Sequence, residues 1–360
     1  MQGSGINLDT IKKRIRATDY LSVAQIFLQD NFLSLRPLSP SDIKPRLLGH
    51  WGTCHGINVF YAHLKAFRPD TEFIIGPGHG FPALQANLFL DGDLEKVDER
   101  CTRNLSGLEY ICKNFSWPGG FPSHASPFTP GVILEGGELG YCLGTAYGVA
   151  LDQPGKLIAC LIGDGEMETA SLLASLNLHR LLGVHSIATV LPVLHLNGYK
   201  ISAPSIVARK SERELLQLIR GFGYDPIVVD ASDHEQFQLT LASLHPGTFI
   251  ILKSEKGQTG PLELNGEKLA GNCLSHQVPL DTAKTNPTEL AALETWLKSY
   301  HFETLFPHLE ELDFNAAREE KLGDPRRAIS GGDREGVPIE DLSEMGRETV
   351  DRTRNTQATS

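Results

Sequence analysis

Two polar clusters constrain this chain most: Gly163-Asp164-Gly165-Glu166 and Asn197-Gly198-Tyr199, each standing directly after an apolar run. The runs, residues 156–162 and 187–196, read as β-strands, and the helix-length gap between them makes the strands parallel neighbours. Asp164 and Asn197 then emerge at adjacent carboxyl ends, the edge where open α/β sheets place ligands. A carboxylate, an amide oxygen and a backbone carbonyl near Tyr199 are hard oxygen donors, of the kind that hold Mg²⁺ while phosphate oxygens complete its shell. Gly163 and Gly165 leave room for backbone to approach those phosphates. A Gly-Asp-Gly turn alone is an ordinary turn, but a second cluster behind its own strand points to a metal-and-diphosphate site.

The surrounding rhythm predicts the fold class. Strand 157–162, helix 167–182, strand 187–196, helix 211–221, strand 226–230, helix 234–244 and strand 248–253 alternate as in an α/β, doubly wound, mostly parallel sheet with helices on both faces. Upstream, residues 46–141 are dense in glycine, proline and histidine and read as long ordered loops between few regular elements, with a helix at 56–66. Thr18-Asp19, followed by Tyr20, Leu21, Ala24, Phe27 and Leu28, reads as a capped amphipathic helix, and Asn286-Pro287 caps another. Residues 1–45 form an N-terminal helical extension in this reading, 46–314 the α/β domain, and 315–360 a charged tail. Eight basic and ten acidic residues stand in that tail with no aromatic one, so it is expected to be disordered.

Composition narrows the partners. The net charge of −11 argues against nucleic acid and anionic membranes, although local basic groups still allow a phosphorylated substrate. Six cysteines without a CxxC pair suggest free thiols in a reducing compartment. No apolar run approaches ~18 residues and the first residues lack a signal-peptide pattern, so a cytoplasmic protein is expected.

Four histidines, His50, His79, His124 and His276, sit in glycine-rich loops, and imidazole suits proton transfer because its pKa lies near neutrality. Gathering His50, His79 and His124 as zinc ligands is disfavoured, because no HxxxH or HExxH pair supports it and the Gly-Asp-Gly and Asn-Gly clusters would be idle. The motifs carrying these residues are 47–53 (LLGHWGT), 76–80 (GPGHG), 117–124 (WPGGFPSH), 135–141 (EGGELGY), 194–200 (LHLNGYK) and 275–279 (SHQVP). In order and spacing they resemble xylulose 5-phosphate/fructose 6-phosphate phosphoketolase, from about residue 15 to about residue 306, over its amino-terminal, diphosphate-binding domain only.

The resemblance implies a thiamine diphosphate-binding fold with thiamine diphosphate and Mg²⁺ as cofactors. It implies cleavage of xylulose 5-phosphate or fructose 6-phosphate, with inorganic phosphate, to acetyl phosphate and an aldose phosphate. By the same likeness His50 and His79 line the reacting carbon, His124 contacts substrate hydroxyls, and His276 helps hold the diphosphate or the sugar. Gly137, Gly163, Asp164, Gly165, Glu166, Asn197 and Lys256 become cofactor contacts, and Asp164, Asn197 and Tyr199 the metal ligands. His195 matches a motif but reads as structural, and His63 as surface or packing. The family's pyrimidine-side glutamate belongs to a second domain, to which the resemblance does not extend. Association is therefore expected, either as a homo-oligomer or with a chain carrying that domain. Departures from the pattern stand at Cys54-His55, Leu134, Met167, Ala170-Ser171 and Leu176-Asn177. They leave open a second reading, an inactive truncated paralogue that assists or regulates a full-length phosphoketolase.

Overall fold

The computed structural model describes residues 7–182 and 189–314. At its centre lies a parallel sheet of five strands, β1 (Glu72–Ile75), β2 (Leu157–Gly163), β3 (Thr189–Leu196), β4 (Asp225–Asp230) and β5 (Thr248–Lys253), in the order β1-β2-β3-β5-β4. Every pairing among them is parallel. Strand β2 explains why its sequence is an unbroken apolar run. Leu157, Ala159 and Leu161 enter one hydrophobic layer, while Ile158, Cys160 and Ile162 enter the other. Alternate residues of a strand face opposite ways, so a strand covered on both sides is apolar at every position.

Among the described residues eleven α-helices follow one another: α1 (Leu8–Phe27), α2 (Cys54–Phe67), α3 (Phe81–Leu90), α4 (Leu105–Asn114), α5 (Cys142–Asp152), α6 (Ala170–Ser175), α7 (Leu178–Leu182), α8 (Glu212–Gly221), α9 (His234–Ala242), α10 (Pro287–Ser299) and the short α11 (Phe302–Leu305). Residues of α1 to α4, α9 and α10 fill the first layer, and residues of α5, α6 and α8 the second. The sheet is thus sandwiched, as the alternation of strands and helices requires. Pro192 lies inside β3, an unusual place for a residue with no N–H. The pairing of β3 with β5 begins only at Val193, one residue later.

Several boundaries differ from the sequence reading. Helix α1 starts at Leu8, where the Asn7 side chain accepts from the Asp9 amide at 3.0 Å. Thr18 and Asp19 lie inside it: the Thr18 hydroxyl donates back to the Arg14 carbonyl at 3.0 Å, and Asp19 accepts from Asn58 at 2.8 Å. Burial is continuous from Ala17 to Phe27, so the helix has no polar stripe there to mark its true start. Segment 46–141 holds more regular structure than its glycine and proline content suggests. Helix α3 is buried at all its positions, which removes the periodicity by which a surface helix is read. The helix expected at 167–182 is broken into a 3₁₀ turn at Glu166–Glu168, then α6 capped by Thr169, then α7. The start of the strand expected at 187 and the tail 315–360 lie outside the described residues.

Candidate functional site

Strands β2 and β3 run in parallel register with Gly163 opposite His195. The residues that follow each strand are therefore neighbours in space. The Gly198 amide donates to Asp164 Oδ2 at 2.8 Å, and the Ser205 hydroxyl reaches the same oxygen at 3.3 Å. The Tyr199 amide donates to Asn197 Oδ1 at 3.2 Å, and the Lys256 ammonium donates to the Tyr199 carbonyl at 2.6 Å. Asp164, Asn197, the Tyr199 carbonyl and Lys256 thus share one corner. Gly198 makes the turn with φ +95°, and a Cβ there would meet nothing within 4 Å. The turn needs glycine for its backbone angle, not for space.

Burial raises the pKa of the Asp164 carboxyl, opposed by Lys256 and by the Gly198 amide. Burial also lowers Lys256 to about 8, opposed by the Asp164 charge.

Glu166, expected as a cofactor contact, is engaged within the protein. Both carboxylate oxygens of buried Glu166 accept backbone amides, from Gly140 at 2.9 Å and Gly163 at 3.2 Å. Glu166 therefore ties the 135–140 turn to the end of β2, and burial pushes its pKa up. Gly163 and Gly165 each have a protein side chain as their nearest neighbour. A Cβ on Gly163 would touch Pro77 at 3.4 Å, and one on Gly165 would press on the Lys200 side chain at 3.1 Å. Gly137 is the open one, since a Cβ there would meet only Glu135 Oε1 at 3.8 Å.

The four histidines converge. The His50 ring centroid lies 5.1 Å from that of His79 and 5.2 Å from those of His124 and His276, and His79 lies 5.3 Å from His276. Three loops are braided to bring this about. The Ala125 amide donates to the Gly78 carbonyl at 2.9 Å and the Gly136 amide to the Ala125 carbonyl at 2.8 Å. Gly78 and Gly136 meet backbone to backbone, so that a Cβ on Gly78 would lie 2.2 Å from the Gly136 Cα. Glycine is required at that crossing, and it sets His79, His124 and Gly137 side by side.

Burial shifts all four rings toward the neutral form. Burial, then His124 and Lys256, lower His50 to about 4, while burial, Lys256 and His50 lower His276 to about 3. His79 falls well below its ordinary value through burial and the neighbouring His50 and His276, and burial lowers His124. The Nδ1 atoms of His50 and His276 are buried without a hydrogen-bond partner, an arrangement that costs free energy until a ligand supplies one. Among the described residues no group of three or more His, Cys, Asp or Glu is arranged to hold a metal ion, and the three histidines weighed as zinc ligands are no exception.

His195 is structural, with Nδ1 on the Thr53 hydroxyl at 3.2 Å and Nε2 on Ser254 at 2.7 Å. His63 is fully buried and pairs with His234 at 2.9 Å. The sequence reading missed Ser205, Gly198 as a turn former, and Cys142, whose thiol also bonds Glu166. Gly198 could have been found from the Asn-Gly pair, whereas Ser205 and Cys142 carry no local signal. Leu134, a departure from the family pattern, packs partly buried against the second hydrophobic layer.

This arrangement defines a class: an α/β chain with a transketolase-like fold. A transketolase from Campylobacter jejuni superposes with a TM-score of 0.57 at 18% identity, over 94% of this chain and 50% of that one. The sequence is more specific. The chain belongs to the phosphoketolase amino-terminal domain family, matching the family model "XFP N-terminal domain" over residues 3–246 and 244–330. A protein described as "Probable phosphoketolase" from Rhodopseudomonas palustris is 46% identical over 318 residues, 81% of this chain and 40% of its own length. Another so described, from Chlorobaculum tepidum, is 41% identical over 374 residues, 94% of this chain and 47% of its own. The chain thus spans less than half the length of these relatives. No helix among the described residues is long and apolar enough to cross a membrane.

Proposed function

We propose that this chain is the diphosphate-binding part of a phosphoketolase-type carbon–carbon lyase dependent on thiamine diphosphate and Mg²⁺. The substrates would be xylulose 5-phosphate or fructose 6-phosphate with inorganic phosphate, and the products acetyl phosphate and an aldose phosphate. The observation that carries the reading is an oxygen-donor corner (Asp164, Asn197, the Tyr199 carbonyl) linked through Lys256 to a cluster of four histidines, two of which keep an unpartnered buried nitrogen. The residues fit the cofactor on their chemistry. Hard oxygens suit Mg²⁺, the open backbone at Gly137 suits a phosphate, and the Lys256 ammonium retains donors beyond the one given to Tyr199.

Thiamine diphosphate, when bound, supplies the carbanion centre that the reaction needs. The chain's part is to bind, orient and move protons. Neutral His50, His79 and His124 accept protons from sugar hydroxyls, and the negative charge of bound phosphates raises their low pKa values toward the working range. His276 donates to a phosphate or sugar oxygen. Glu166 acts at one remove by holding the 135–140 turn.

The second, pyrimidine-binding domain would come from a further part of the protein or from another chain, through a homo-oligomer or a mixed assembly. Apolar side chains on the loops beside the site suit such an association: Phe128 is 95% exposed and Tyr141 52%. The test is an acetyl phosphate assay with thiamine diphosphate, Mg²⁺, phosphate and xylulose 5-phosphate. Product is expected when a chain bearing the pyrimidine-binding domain is added. Failure under that complementation, with cofactor bound, would favour the inactive paralogue.

A further inference from the structure

Lys256 is buried, with 2% of its surface exposed. Its one hydrogen bond goes to the Tyr199 carbonyl at 2.6 Å. That carbonyl is one of the three oxygens assigned above to the metal, and Asp164, another, is the acid that acts most strongly on the lysine. An ammonium has three donors, and two remain for other acceptors. The pocket wall packs closely on the side chain: a Cβ on Gly52 would lie 2.5 Å from the Ser275 carbonyl oxygen and 3.1 Å from the lysine Cε.

We infer that Lys256 is a tethered cation that competes with the divalent ion for the Tyr199 carbonyl and is drawn off it by the diphosphate, so that metal and diphosphate bind cooperatively and metal alone binds weakly. Two cations on one carbonyl oxygen in a poorly solvated corner repel. A diphosphate adds negative charge and offers oxygens to the idle ammonium donors, which relieves that repulsion. The coupling is a difference between two states of one side chain, and each ligand biases it in the same direction.

The inference rests on the metal assignment, and the experiment separates the two. Mn²⁺ is titrated without cofactor into the wild-type chain, Lys256→Met, Lys256→Gln, Asp164→Asn and the Lys256→Met/Asp164→Asn double variant, with binding read by electron paramagnetic resonance. Circular dichroism reports folding, and Lys256→Gln keeps a donor for Tyr199 should Lys256→Met fold poorly. Both lysine variants are expected to bind Mn²⁺ roughly tenfold more tightly than wild type, a typical coupling. Their affinity for thiamine diphosphate in the presence of Mn²⁺ should fall. Equal Mn²⁺ affinity in wild type and both lysine variants, with weaker binding in Asp164→Asn, overturns the competition and leaves the metal site standing. Unchanged Mn²⁺ binding on adding Asp164→Asn to Lys256→Met, or no binding by any of the proteins, removes the metal assignment and the inference with it.

Discussion

Replacing Gly78 by alanine tests the braid that assembles the histidine cluster. A Cβ there would stand 2.2 Å from the Gly136 Cα and 2.5 Å from its carbonyl oxygen, and both atoms are backbone, so no side-chain rotation relieves the clash. Forcing extra atoms into a packed interior costs about 1–3 kcal/mol. Separating the strands of the braid also loses the Ala125–Gly78 and Gly136–Ala125 hydrogen bonds, worth about 1 kcal/mol each. Gly78→Ala is therefore expected to lower stability by about 2–5 kcal/mol, measured by urea denaturation. Gly148→Ala is the control. It is exposed in helix α5 with nothing within 4 Å of a Cβ, and should stabilise by up to about 1 kcal/mol. A Gly78→Ala chain that unfolds within about 0.5 kcal/mol of wild type would refute the braid as the device that positions His79, His124 and Gly137.

Other outcomes follow from buried charge. His63 and His195, both lowered to about 3 by burial foremost, stay neutral in the folded chain while the unfolded chain protonates them near the ordinary pKa of about 6.5. Their contribution is fully present above about 6.5 and is lost as pH falls from there toward about 3, at up to about 1.4 kcal/mol per pH unit for each histidine. Urea midpoints at pH 7 and pH 5 measure it, and equal midpoints would contradict it. Asp91→Ala strips the buried Arg14 of its ion pair at 2.7 Å and should cost about 3–5 kcal/mol in the same assay. Glu166→Gln removes a charged acceptor from the Gly140 and Gly163 amides, so hydrogen exchange at Gly140 should quicken, whereas unchanged exchange would deny Glu166 its positioning role.

The sheet was legible because a strand buried on both faces leaves an unmistakable apolar run, and the oxygen donors follow such runs directly. Helix α3 escaped for the opposite reason: apolar at almost every position and buried throughout, it offers no stripe against which a period is counted. The membership of the histidine cluster was readable from its motifs, but their assembly was not. Gly78 and Gly136 are far apart in sequence, and nothing local tells that one glycine exists for the other. The tie that Glu166 makes was hidden on the same ground, because its amide partners Gly140 and Gly163 are visible only once the turn is folded against β2.

The most direct test of the site is calorimetric binding of thiamine diphosphate with Mg²⁺ to the wild-type chain, Asp164→Ala and Asn197→Ala. The account predicts measurable binding by the wild type and at least roughly tenfold weaker binding by each variant. Equal affinity in all three proteins, or none in any, would contradict it.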